Sequence, residues 1–87
     1  MYKISPTKQF EKSLKRLSSK EQKSVATKLL LLAQNPMHPS LRTKKIKGID
    51  NTFECSVNMD IRIIWFYEGD KIIVLLDIGH HDILDRL

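Results

Sequence analysis

The spacing of apolar positions changes once along the chain, from a helical period to a strand-like one. Phe10, Leu14 and Leu17 stand at i, i+4 and i+7, with Lys8, Lys12, Lys15 and Arg16 among them, which is the pattern of one buried helix face. Ser5-Pro6-Thr7 places a good capping residue at Thr7, so a first helix is predicted to start there. Ser18-Ser19 breaks the pattern. Ser18 with Glu21, or Ser19 with Gln22, has the spacing of a capping box, and the stripe Val25, Ala26, Leu29, Leu30, Leu32 and Ala33 follows as a second helix. So tight a junction predicts an antiparallel helical hairpin. Asn35-Pro36-Met37-His38-Pro39 ends it, because a residue before proline is pushed out of the helical region.

The remainder reads as strands. Thr52 to Val57, Ile61 to Tyr67 and Ile72 to Ile78 are rich in β-branched and aromatic residues and are separated by short turns, and Tyr2 to Ile4 adds a short strand at the start. The predicted fold is α+β: one short strand, the helical hairpin, then an antiparallel meander of three or more strands with the hairpin on one face. A three-residue loop at Asn58-Met59-Asp60 puts Phe53, Cys55, Val57, Ile61, Ile63, Trp65 and Tyr67 on the face toward the helices. A two-residue turn at Gly69-Asp70 would pair Tyr67 with Ile72 and Trp65 with Val74, sending Ile72, Val74, Leu76 and Ile78 into the same core. The opposite face then carries Glu54, Ser56, Arg62, Ile64, Phe66, Ile73, Leu75 and Asp77, with His81 in the same phase.

Eighty-seven residues make one domain, residues 1–87. The single Cys55 excludes an internal disulfide, and the start Met1-Tyr2-Lys3-Ile4 has no apolar signal region, so a cytoplasmic location and no membrane anchor are expected. Charge is unevenly spread. Residues 1–47 hold twelve bases and two acids (12 − 2 = +10), residues 48–87 three bases and eight acids (3 − 8 = −5). Such asymmetry suits a cationic surface that meets a polyanion or an acidic protein, although Lys-rich helix faces are also commonly just solvated. A polar cluster of Glu54, Ser56, Arg62, Asp77 and His81 on the uncovered side of the sheet, beside the basic segment Arg42-Thr43-Lys44-Lys45-Ile46-Lys47, is the candidate site.

The order of elements, the basic segment closing with Ile46-Lys47-Gly48, the strand Asn58-Met59-Asp60-Ile61-Arg62-Ile63-Ile64-Trp65 and the ending Leu75-Leu76-Asp77-Ile78-Gly79-His80-His81-Asp82 together resemble the RelE/ParE superfamily of bacterial type II toxin–antitoxin toxins, the RelE- and YafQ-like branch above all. The resemblance implies a ribosome-dependent mRNA endonuclease (an mRNA interferase) that inhibits translation in the bacterial cytoplasm, needs no cofactor or metal, and is silenced by an antitoxin that is acidic and encoded next door. It also leaves open two other functions: a ParE-like inhibitor of DNA gyrase without chemistry, and a nontoxic relative that binds only antitoxin or RNA.

Carried over by position, Arg62 corresponds to the arginine that holds the scissile phosphate, His81 to a catalytic His or Arg, Lys44 and Lys47 to basic groups ahead of the glycine, and Asp60 to an acidic residue of the YafQ-like branch. Two positions depart from the pattern: Asp85 stands where an aromatic residue often lies, and Ser56 where some relatives carry histidine. Metal-free RNA cleavage needs a proton acceptor for the 2′-hydroxyl, cations for the phosphorane and a donor to the leaving 5′-oxygen. His81 suits a proton transfer and Arg62 the phosphate, with Lys44 and Lys47 adding charge and Glu54 or Asp60 accepting a proton or orienting His81. Arg42, Lys44, Lys45, Lys47 and Phe66 are the candidate RNA contacts, Phe66 by stacking.

Each residue also has a plainer reading. Arg62 could form a cross-strand ion pair with Asp77, His80 faces the other way as a packed or capping residue, His38 is a loop residue, and Cys55 is a small buried hydrophobe. Adjacent strand histidines point to opposite faces, which speaks against a zinc site.

Overall fold

The computed structural model describes the backbone of residues 1–86 and the side chains of residues 1–83. The expectation at Asp85 concerns a side chain outside the described residues. The elements run β1 (Lys3–Pro6), α1 (Lys8–Leu14), α2 (Ser19–Gln34), a 3-10 turn (Pro39–Leu41), β2 (Lys44–Lys45), β3 (Thr52–Ser56), β4 (Ile61–Glu68), β5 (Ile72–His80) and a C-terminal 3-10 segment (His81–Arg86). The five strands form one sheet in the order β1-β5-β4-β3-β2, antiparallel except where β1 joins β5 in parallel.

Both helix starts follow their capping chemistry. Thr7 accepts the Phe10 N–H at 3.1 Å and caps α1. At α2 it is Ser18 that caps: its hydroxyl accepts the Glu21 N–H at 3.1 Å, while the Glu21 carboxylate accepts the Ser18 N–H at 2.9 Å. That backbone donor, more than any other neighbour, holds the Glu21 carboxyl below its ordinary value. Phe10, Leu17, Val25 and Leu32 from the helical segments meet Cys55, Val57, Ile61, Ile63 and Trp65 from the sheet in one buried core. Leu30, expected in the stripe, is exposed, and Leu31 packs in its place.

The β3–β4 register is as the hydrophobic pattern predicts, with Cys55 opposite Ile63 and Phe53 opposite Trp65. The β4–β5 register is not. Glu68 pairs with Ile72, so the turn holds three residues, with Gly69 in the left-handed region at φ 65°. Trp65 then faces Leu75, but Ile64 faces Asp77, which leaves Leu76 as an extra residue in a β-bulge. The faces are therefore reassigned: Ile73, Leu75 and Ile78 belong to the core, and Ile72 and Val74 to the other side. That other side is not bare throughout, because the C-terminal 3-10 segment packs on β4 and β5, and Ile64, Val74 and Ile83 are buried outside the main core.

Cys55 is 1% exposed, and its burial pushes the thiol up to about 12. The folded state keeps it neutral. Stability is therefore unaffected below the ordinary value of 9 and falls as pH rises from there toward about 12, since only the unfolded chain ionises. Iodoacetamide at pH 8 is expected to leave native Cys55 unmodified and to label it in urea. In urea denaturation, Ile63→Ala is expected to cost about 2–5 kcal/mol, against about 0.5–2 kcal/mol for the cap change Ser18→Ala.

Candidate nucleic-acid interface

The β3–β4 hairpin positions the strand arginine. Asn58 Oδ1 accepts the backbone N–H groups of Asp60 and Ile61, both at 2.8 Å, a side-chain turn that fixes where β4 begins. Arg62 is the next residue, on the face away from the core. Its Nη1 donates to the Asn58 carbonyl at 2.8 Å and to the Ile61 carbonyl at 3.2 Å, so the guanidinium curls back over the end of the hairpin. The expected ion pair with Asp77 does not form. The bulge brings Gly79 opposite Arg62 and Asp77 opposite Ile64, and Asp77 Oδ1 accepts the buried Ser13 hydroxyl at 2.6 Å.

Arg62 shares a cleft of about 230 Å³ with Lys28, Ser40, Arg42, Ser56 and Asn58. Arg42 ends the 3-10 turn in the left-handed conformation, φ 50° and ψ 42°, with its N–H donated to the Pro39 carbonyl. Lys28 has a place here that treating the Lys-rich helix faces as simply solvated does not give it. The signal was present: Lys28 is three residues after Val25 and four before Leu32, both buried, so it sits on the inward side of α2.

A second group forms where β2 meets β3. Lys44 pairs with Glu54 in the ladder, and its ammonium lies 3.2 Å from Glu54 Oε1. The carboxylate is buried at 5% side-chain exposure under a lysine that is 72% exposed, and its Oε2 has no hydrogen-bond partner. A buried carboxylate is costly unless paired, so Lys44 is needed for more than its charge toward solvent. Lys45 and Lys47 are exposed nearby, and Lys47 precedes Gly48 at φ 86°. Phe66 is half-buried on the outer face, opposite Thr52 and Val74.

The histidines separate. His81 is exposed at the start of the C-terminal 3-10 segment, and Asp60 is exposed in the hairpin loop. Among the described residues no hydrogen bond or ion pair joins His81 to Arg62, Glu54 or Asp60. His80 stands opposite Ile61, on the helix side, with Nε2 3.7 Å from Glu21 Oε2. His38 is more than a loop residue: its Nδ1 accepts the Ser40 N–H at 3.1 Å and caps the 3-10 turn. Among the described residues no three His, Cys, Asp or Glu side chains gather as metal ligands, and no helix is long and apolar enough to cross a membrane.

The strand order and helix placement are shared with solved toxin structures. YafQ from E. coli strain BL21(DE3) superposes with a TM-score of 0.77 at 18% identity, covering 97% of this chain and 98% of that one. A copper-bound mutant toxin from Helicobacter pylori gives 0.76 at 22% identity, covering 97% and 99%. The RelE of an archaeal RelE–RelB complex from Pyrococcus horikoshii OT3 gives 0.76 at 20%, covering 91% and 93%. At these identities the likeness establishes the fold alone. No curated protein matches the sequence. The family model for the bacterial toxin of type II toxin–antitoxin systems, YafQ, matches residues 2–86, and with nearly the whole length matched the chain belongs to the YafQ family of type II toxin–antitoxin toxins.

Proposed function

We propose that this toxin is a ribosome-dependent mRNA endonuclease that stops translation by metal-independent attack of a ribose 2′-oxygen on the neighbouring phosphate. The observation that carries the reading is the state of Arg62. Its guanidinium is tethered through one nitrogen to carbonyls, and among the described residues it has no carboxylate partner. An arginine fork with unused donors beside a cleft suits a phosphodiester.

In this mechanism the 2′-oxygen bonds to phosphorus as its proton is taken, and the bond to the 5′-oxygen breaks as that oxygen gains a proton. The products are a 2′,3′-cyclic phosphate and a free 5′-hydroxyl. Arg62 holds the phosphate oxygens, and Lys44 and Lys47 add positive charge as the phosphorane forms. His81, exposed at the end of β5, serves one proton transfer. Glu54 or Asp60 serves as proton acceptor: Asp60 is exposed in the hairpin loop, and Glu54 lies under Lys44. Arg42, Lys45 and Phe66 join the lysines in binding the RNA strand around the cut. The partners are the ribosome with its message and, in the resting state, an acidic antitoxin encoded nearby. Solved relatives include toxin–antitoxin complexes, the RelE–RelB complex of Pyrococcus horikoshii among them, which supports the second partner.

Primer extension on messages from ribosomes incubated with the toxin tests the reading. Codon-phased cuts are expected, reduced about 10²–10⁴-fold by His81→Ala and about 10²–10³-fold by Arg62→Ala. Intact messages together with gyrase-trapped DNA breaks would assign the chain to the gyrase-inhibiting function instead.

A further inference from the structure

We propose that the cleft between α2, the 3-10 turn and the β3–β4 hairpin is a second phosphate subsite, in which Lys28 and Arg42 hold the backbone phosphate next to the scissile one. This inference rests on the reading of the chain as an RNA-cleaving toxin and extends it to a residue outside the strand cluster.

Three cations, Lys28, Arg42 and Arg62, line this one cleft, and among the described residues no carboxylate lines it. Like charges gathered around a small polar space repel one another, and the fold gains nothing from the arrangement unless an anion fills it. Packing does not require Lys28, since Val25, Leu32 and Ala33 supply the buried face of α2. The hydrogen-bonding balance also selects an anion. Asn58 Oδ1 is consumed by the hairpin turn, its carbonyl is taken by Arg62, and the Ser40 N–H is taken by His38. What remains on the walls is mainly donors: the Lys28 ammonium, the Arg42 guanidinium, the other Arg62 nitrogens and the Ser56 hydroxyl. A phosphate offers only acceptors and matches that set.

Two observations favour RNA over an acidic peptide as the source of the phosphate-like group. Arg62 belongs both to this cleft and to the proposed grip on the scissile phosphate, so an anion held here is the near neighbour of another, as in a nucleic-acid backbone. Among the described residues the apolar ones at the cleft are Val57 and Met59, one buried in the core and the other 87% exposed, which form no pocket for the aromatic or aliphatic anchors of a peptide interface.

Whole toxin is titrated with 2′-O-methylated oligoribonucleotides, which bind but cannot be cut, across a range of salt. Lys28→Ala is expected to weaken a trinucleotide with two phosphates, to leave a dinucleotide with one unchanged, and to make the slope of log K against log salt shallower by about 0.7. Lys28→Arg restores both, and neither variant lowers the melting temperature without RNA. An unchanged slope, or equal weakening of the dinucleotide, overturns the subsite even while wild-type toxin cleaves ribosome-bound message. Wild-type toxin that neither binds these oligonucleotides nor cuts message overturns the parent reading as well. Lys28→Ala that weakens only poly-glutamate binding gives the cleft to a protein partner and overturns the RNA subsite.

Discussion

The way β5 joins the first helix to the sheet depends on one irregularity, the extra residue Leu76 in that strand. Without it, strict alternation would send Ile78 to the face opposite Ile73 and Leu75, whereas all three are buried in the same core. The bulge also anchors the first helix. The Thr7 hydroxyl shares its hydrogen between the Leu75 and Leu76 carbonyls at 2.8 and 3.1 Å while accepting the Phe10 N–H of α1, so one side chain ties the cap of the helix to the kink in the strand. Further along α1, Ser13 reaches Asp77. The same offset puts side-chain-free Gly79 beside Arg62, so no carboxylate from β5 neutralises the arginine.

The sheet manages its charges differently at its two ends. At β2–β3 a buried carboxylate is answered by one exposed ammonium, and the match is incomplete because one oxygen lacks a partner. At the β3–β4 hairpin three cations face a cleft that, among the described residues, holds no acid. The first arrangement is an internal pair whose disruption would leave a charge in a medium of low polarity. The second is an open electrostatic demand on whatever occupies the cleft. The proposed RNA target and the proposed acidic antitoxin are both anionic, and one such field would attract either.

How far the sequence revealed this depended on where its pattern was distinctive. Both helix starts were legible because Thr7 and the Ser18–Glu21 pair satisfy backbone donors in a way few residue combinations can. The β3–β4 register was legible because polar Glu54, Ser56 and Arg62 alternate with apolar neighbours. Along Ile72-Ile73-Val74-Leu75-Leu76 every residue is apolar, so alternation carries no phase, and neither the three-residue turn nor the bulge left a mark. At the candidate site, the outward facing of Arg62 and the helix-side position of His80 followed from strand periodicity. The burial of Glu54 did not, because it depends on what β2 lays across the sheet, whereas the inward side of Lys28 was marked by its spacing from Val25 and Leu32.

The parallel pairing of β1 with β5 links segments far apart in sequence: Pro6 pairs with Leu75, and the Thr7 hydroxyl donates to the Leu75 carbonyl 68 positions on. During synthesis β1 and both helices are therefore complete long before their docking strand exists, and closing so long a loop delays the last step of folding. A nascent toxin lacks the bulge that seats α1 and the strand that lies beside Arg62 until β5 has been made. The topology thus keeps the toxin unassembled until β5 has emerged from the machinery that it is proposed to attack.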